Sequence, residues 1–165
     1  PPEDDTLEAA EIAASDADAC VLVLGTHGFW ELEGIDQPHM KLPGRQNELV
    51  RRVVAAARGP IIVILNVGSP KEMPWLPDVH AVLLAHFGGE QMAAAVASLL
   101  VGDENPSGRL PTTWPLSLEL ASSMRCGLVS AESACNPGDV IYSEGLELGY
   151  RGITEDDNVY AAPLF

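Results

Sequence analysis

Two short apolar runs without alternation, CVLVLG at 20–25 and IIVILN at 61–66, stand out in the hydropathy pattern of this chain. Unbroken β-branched and aliphatic stretches of this length read as strands covered on both faces. AVLLAHF at 81–87 predicts a third strand. Between these runs the apolar positions repeat at helical spacing. Leu7, Ala9, Ala10, Ile12 and Ala13 predict a helix over Thr6–Asp16, with Asp4, Asp5 or Thr6 available as N-cap. Leu49, Val50, Val53 and Val54 predict a second helix over Gln46–Arg58, and an alanine-rich apolar face predicts a third over Glu90–Val101. Gly59-Pro60, Gly68-Ser69-Pro70 and Gly88-Gly89 supply the breaks. Strands and helices alternate, so the expected fold class is α/β, a three-layer αβα sandwich with a mostly parallel sheet.

Two segments do not fit that rhythm. The connection THGFWELEGIDQPHMKLPG at 26–44 is long for a strand-to-helix loop, and loops of such length tend to carry function. From Gly102 the density of glycine and proline rises, so 102–165 reads as a loop-rich tail. Within it, 116–139 has room for a short helix, and 140–151 is a weak strand-and-turn candidate. At 165 residues the chain is expected to form a single domain around one core.

A formal charge of −15 narrows the partners, because it repels phosphate backbones and anionic lipid surfaces. Nucleic acid and membrane surfaces are therefore not expected partners. The apolar runs fall well short of the ~20 residues a membrane span needs. The N-terminal PPEDDTLEAAEIA lacks the blocks of a signal peptide, so the compartment stays open between cytoplasm and export. Three cysteines are too few and too scattered for a disulfide framework or a zinc site. Cys20 reads as buried filler, and Cys126 and Cys135 are a candidate pair only in an exported protein.

Ligands of open parallel sheets bind beyond the C-terminal ends of the strands. The 26–44 loop leaves such an end, and Glu31, Glu33 and Asp36 crowd there beside Trp30. Crowded carboxylates next to an apolar wall suit a general acid, and an indole suits the face of a sugar ring. On the residues alone, an acidic surface loop is the simpler account. His27 is a candidate hydroxyl ligand or merely a loop histidine satisfying local backbone. His39, His80 and His86 have no metal-ligand spacing, so no metal is expected. No dinucleotide fingerprint, phosphate loop or serine elbow is present, and no cofactor is expected.

Four ordered blocks carry a resemblance. WELEGIDQPHMKLPGRQNELVRRV at 30–53 resembles the E-G-x-D-R, L-P, Q-x-x-L-[IV] run of the family 3 glycoside hydrolases. LNVGSPKEMPWLPDVHAVLLAHFGGE at 65–90, GDENPSGRLPTTWP at 102–115 and YSEGLELGYR at 142–151 resemble further blocks of that family, in order. The resemblance implies the C-terminal α/β domain of a β-glucosidase-type enzyme, retaining and exo-acting on terminal non-reducing β-D-glucosyl residues. In such enzymes a barrel domain of the same chain supplies an aspartate nucleophile, and the α/β domain supplies a glutamate acid/base. Matching E-G-x-D assigns that role to Glu33, with Glu31 as the alternative.

Beside this resemblance Trp30 is a candidate wall of the substrate site or a residue that packs the loop onto the domain, Asp36 a candidate substrate-binding residue that organises the loop, and His27 keeps its candidacy as a substrate ligand from its place after the first strand. Gln37 stands where the family usually has arginine, which removes an ionic contact expected near the acid/base. The tail after Arg151 departs from the family pattern, and the barrel is not in these residues, so the chain is expected to be an excerpt, inactive by itself. A β-xylosidase-type member, or a catalytically silent sugar-binding or interaction module, is the alternative reading, and a homo-oligomer is open.

Overall fold

A computed structural model describes residues 3–35, 37–118, 145–146, 149–152 and 159–161. By its contacts the chain divides into two compact units. The first comprises residues 1–36, 41–69 and 73–106, and the second residues 37–40, 70–72 and 107–165.

The first unit is an α/β sandwich on a parallel sheet, as the alternating pattern leads one to expect. Its elements are α1 (Glu3–Asp16), β1 (Cys20–Gly25), α2 (Gln46–Ala56), β2 (Ile61–Asn66), β3 (Ala81–Leu84) and α3 (Met92–Val101). The strands lie in the order β1-β2-β3, all parallel, with Cys20 opposite Ile61 and Ile62 opposite Ala81. α1 and α2 share one face of the sheet, where Ala14, Cys20, Val53 and Ile61 form a buried cluster joined by Leu22, Leu49 and Val54. β2, the central strand, places Val63, Ile64 and Leu65 almost wholly out of solvent. Burial of each such side chain contributes about 1.5–3 kcal/mol.

β1 departs from the reading of its sequence. Cys20 and Leu24 are buried, but Val21 and Val23 are 47% and 66% exposed. The run is apolar on both faces, yet β1 is an edge strand of the observed sheet, and only its helix-facing side is covered. Element ends also shift. α1 begins at Glu3 rather than Thr6. α2 ends at Ala56 because Ala57 is already extended, ahead of the close passage of Gly59 beside Asp18. β3 stops at Leu84, and His86 two residues on adopts a left-handed φ of 50° that a strand cannot continue through. α3 ends on Gly102, whose φ of 82° and amide bond to Leu99 O make a left-handed cap.

α2 carries an ion network on its solvent side. The Arg45 guanidinium meets Glu48 at 2.8 Å, and Arg52 reaches both Glu48 and, across to α1, Glu11. Hydrogen bonding from Arg45 outweighs partial desolvation, and with the charges of Arg45 and Arg52 it lowers the Glu48 pKa from 4.5 to about 2. A folded-state pKa below the unfolded one stabilises the fold above the unfolded value and ceases to do so as pH falls through the folded value. Acid titration from pH 5 to 2 is therefore expected to destabilise the protein less steeply once Glu48→Gln has removed the group. Equal slopes for the two proteins would show that the network carries no linkage.

In the second unit, β4 (Trp114–Pro115) pairs antiparallel with β5 (Val159–Ala161), and Trp114 is buried. Gly145-Leu146 lies in a turn and Gly149–Gly152 is a short 3-10 turn, so the described residues of the 140–151 strand-and-turn candidate are turn. The helix candidate over 116–139 lies, beyond residue 118, outside the described residues, as do Cys126 and Cys135. Cys20 is a free, buried cysteine. Among the described residues no helix is long and apolar enough to cross a membrane.

Candidate functional site

The loop that leaves β1 begins as an extension of the sheet. Thr26 N–H donates to Asn66 O at 3.1 Å, one residue beyond the Gly25–Asn66 register pair. The two backbones come so close here that a Cβ on Gly25 would stand 2.6 Å from Asn66 O. The chain then folds back, His27 O accepting from Trp30 N–H at 2.8 Å and from Glu31 N–H at 3.0 Å. Gln46, the first residue of α2, secures the root of the loop. Its amide oxygen accepts from Gly25 N–H at 2.8 Å, and its NH2 donates to Gly25 O at 2.8 Å and Pro43 O at 3.0 Å.

The two glutamates occupy different environments within this frame. Glu31 is half-buried, and its Oε1 accepts from the Thr26 hydroxyl at 2.6 Å and from Gly68 N–H at 3.1 Å. Glu33 is exposed, in a turn closed by Ile35 N–H to Leu32 O at 3.3 Å and shaped by Gly34 at φ 80°. It makes no hydrogen bond or ion pair among the described residues. Exposed apolar side chains share its loop, Phe29 at 92% and Ile35 at 65% exposure. Trp30 is half-buried, while the exposed His27 ring meets Phe29 edge-on at 6.2 Å. Asp36 lies outside the described residues.

The second unit holds the next residue, Gln37. Its side-chain oxygen accepts from Lys71 Nζ at 2.8 Å, and nearby Glu72 N–H donates to Met40 O at 2.9 Å. Lys71 is fully buried, and a buried ammonium is tolerable only when its protons are bonded. Gln37 is therefore not simply a lost ionic contact, because its neutral oxygen receives a cation sent from the segment after β2.

The other histidines are not gathered into a site. His80 is structural, its ring Nδ1 accepting from Ile61 N–H at 3.1 Å while its backbone N–H donates to Ile61 O at 2.9 Å. Among the described residues no group of three His, Cys, Asp or Glu side chains could hold a metal ion. A groove of about 250 Å³ between β3 and α3 is lined by Leu83, Ala85, Met92, Ala95, Val96 and Leu99 and offers no ionisable group.

Reasoning from sequence singled out the carboxylates but missed Thr26, Gln46, Gly68 and Lys71. The available signals were faint, a hydroxyl just past a strand-ending glycine and a glutamine opening a helix, and for Gly68 and Lys71 there was none.

The residues from Pro2 to Tyr150 match the family model for the glycosyl hydrolase family 3 C-terminal domain. A β-glucosidase of Rhizobium radiobacter is 40% identical over 161 residues, covering 96% of this chain and 18% of that protein. A β-glucosidase of Kluyveromyces marxianus is 39% identical over 150 residues, covering 90% of this chain and 17% of that protein. The crystal structure of the Kluyveromyces marxianus β-glucosidase in complex with glucose superposes with a TM-score of 0.82 at 36% identity, over 92% of this chain and 18% of that one. The β-glucosidase 3B of Thermotoga neapolitana, also in complex with glucose, gives a TM-score of 0.78 at 28% identity, over 94% of this chain and 22% of that one. The chain thus spans under a quarter of each of these proteins, and the family match over residues 2–150 together with these identities shows that it belongs to the C-terminal domain of glycosyl hydrolase family 3.

Proposed function

We propose that this domain serves a retaining, exo-acting β-glucosidase that removes terminal non-reducing β-D-glucosyl residues, and that Glu33 is its acid/base. The observation that carries the assignment is the contrast between the two glutamates. Glu33 stands exposed on a turn beyond the C-terminal end of β1, with both carboxylate oxygens open to a ligand. Glu31 has an oxygen committed to two donors of its own domain. The names of the relatives support a β-glucoside as substrate.

In this reading the Glu33 carboxyl donates its proton to the glycosidic oxygen as the C1–O bond breaks. A carboxylate from the barrel domain of the parent chain attacks C1 and forms the glycosyl-enzyme. Glu33, now a carboxylate, takes a proton from the water that attacks C1, the bond to the nucleophile breaks, and the sugar leaves with retained configuration. Retention requires the two carboxyl groups about 5 Å apart. Trp30 and His27 are proposed to border the sugar site, and Asp36 to order the loop.

The substrate assignment is tested by assaying the full-length parent on aryl β-glucosides and aryl β-xylosides. A higher kcat/KM on the glucoside is expected. Preference for the xyloside would move the domain to a β-xylosidase, and inertness on every glycoside offered would favour a silent sugar-binding module.

A further inference from the structure

Glu31 lies two residues from Glu33 and is bonded by groups that leave two different strands. The Thr26 hydroxyl follows β1, and the Gly68 amide follows β2, 37 residues downstream of Glu31. The fit at Gly68 is specific to a residue without a side chain. A Cβ there would lie 2.2 Å from Glu31 Oε2 and 2.9 Å from Phe87 Cε2, so only glycine leaves room for the carboxylate. The Gly68 φ is not in the left-handed region, so glycine is required here for space and not for backbone freedom.

We infer that Glu31 is a positioning residue, a carboxylate clasp that ties the loop after β1 to the segment after β2 and so sets where Glu33 stands. The inference rests on the reading of Glu33 as acid/base. It gives the first glutamate of the W-E-L-E-G run a purpose that needs an acceptor oxygen and no transferable proton. An amide oxygen at the same place can accept from Thr26 and Gly68, whereas a methyl group cannot.

The experiment uses the full-length parent and two substrates. An alkyl β-glucoside needs its leaving oxygen protonated, and 2,4-dinitrophenyl β-glucoside does not. Glu31→Ala and Gly68→Ala are each expected to lower kcat/KM on the alkyl glucoside by about 10²-fold, the loss that follows from an ångström of misplacement, while leaving the dinitrophenyl glucoside little changed. Glu31→Gln is expected to stay within about tenfold of the parent on both substrates. Gly68→Ala matters because it displaces the carboxylate while leaving Glu31 in the sequence, and it decides the matter if Glu31→Ala fails to fold.

Equal losses on both substrates in Glu31→Ala and Gly68→Ala would indicate a merely structural contact and overturn the inference. So would a Glu31→Gln variant as impaired as Glu31→Ala and rescued by azide, since Glu31 would then be the acid/base itself. Glu33→Gln separates the two failures. If it shows leaving-group dependence and the Glu31→Ala and Gly68→Ala variants do not, only the clasp is wrong. If it shows none, the reading of Glu33 falls first.

Discussion

Replacing Glu33 by glutamine in the full-length parent is expected to lower kcat/KM on an alkyl β-glucoside by about 10²–10⁴-fold, the range a positioned general acid contributes. On 2,4-dinitrophenyl β-glucoside the first step needs no proton and should survive. The second step still lacks its base, so kcat on that substrate should fall and the glycosyl-enzyme should accumulate. Azide attacks C1 without surrendering a proton. With Glu33→Ala, which also clears space for the anion, added azide should therefore restore turnover and give β-glucosyl azide. Hydrolysis of the alkyl glucoside at the parent's rate by either variant would remove Glu33 from the mechanism. The isolated 165 residues should show no turnover, because the proposed nucleophile belongs to another domain.

The largest stability effect is expected far from the loop. Gly59 sits where the chain leaving α2 passes the segment leading into β1, and a Cβ there would lie 1.8 Å from Asp18 O and 2.7 Å from Asp18 C. Those neighbours are backbone atoms at the entrance to the sheet, with no rotamer to yield. Cys20 N–H donates to Pro60 O at 2.8 Å just beyond, so moving the two strands apart would also strain the ladder. Gly59→Ala should therefore exceed the common overpacking penalty and destabilise the domain by about 3 kcal/mol or more. A melting midpoint unchanged from the parent's would mean that the two segments separate freely.

Much of the first unit was readable because its physics is local. The IIVIL run and the helical spacing of Leu49, Val50, Val53 and Val54 each report their own environment, and strand, helix and order follow. What escaped was decided by what lies opposite. Val21 and Val23 look the same in sequence whether or not a layer covers them. β4 and β5 pair across more than forty residues, and one contains a proline, so neither announces a partner. The candidate site divides in the same way. A crowded acidic loop at a strand end was legible from composition and position. Which glutamate is tied down was not, because the tie comes from Gly68, and nothing near Glu31 in the sequence points to it. Lys71 was unreadable for the same reason, since a lysine between prolines suggests surface until the Gln37 oxygen is found beside it.

The double grip of Gln46 on Gly25 has a bearing on how far the connection between them can vary in length. With residues 25 and 46 pinned together by side-chain hydrogen bonds, the connection between them is a closed ring hung from the sheet. Doubling the length of such a ring raises its closure cost by only about 0.6 kcal/mol. Insertions into this connection can thus lengthen it while the strands beneath keep their register, so loop length and fold stability can change separately.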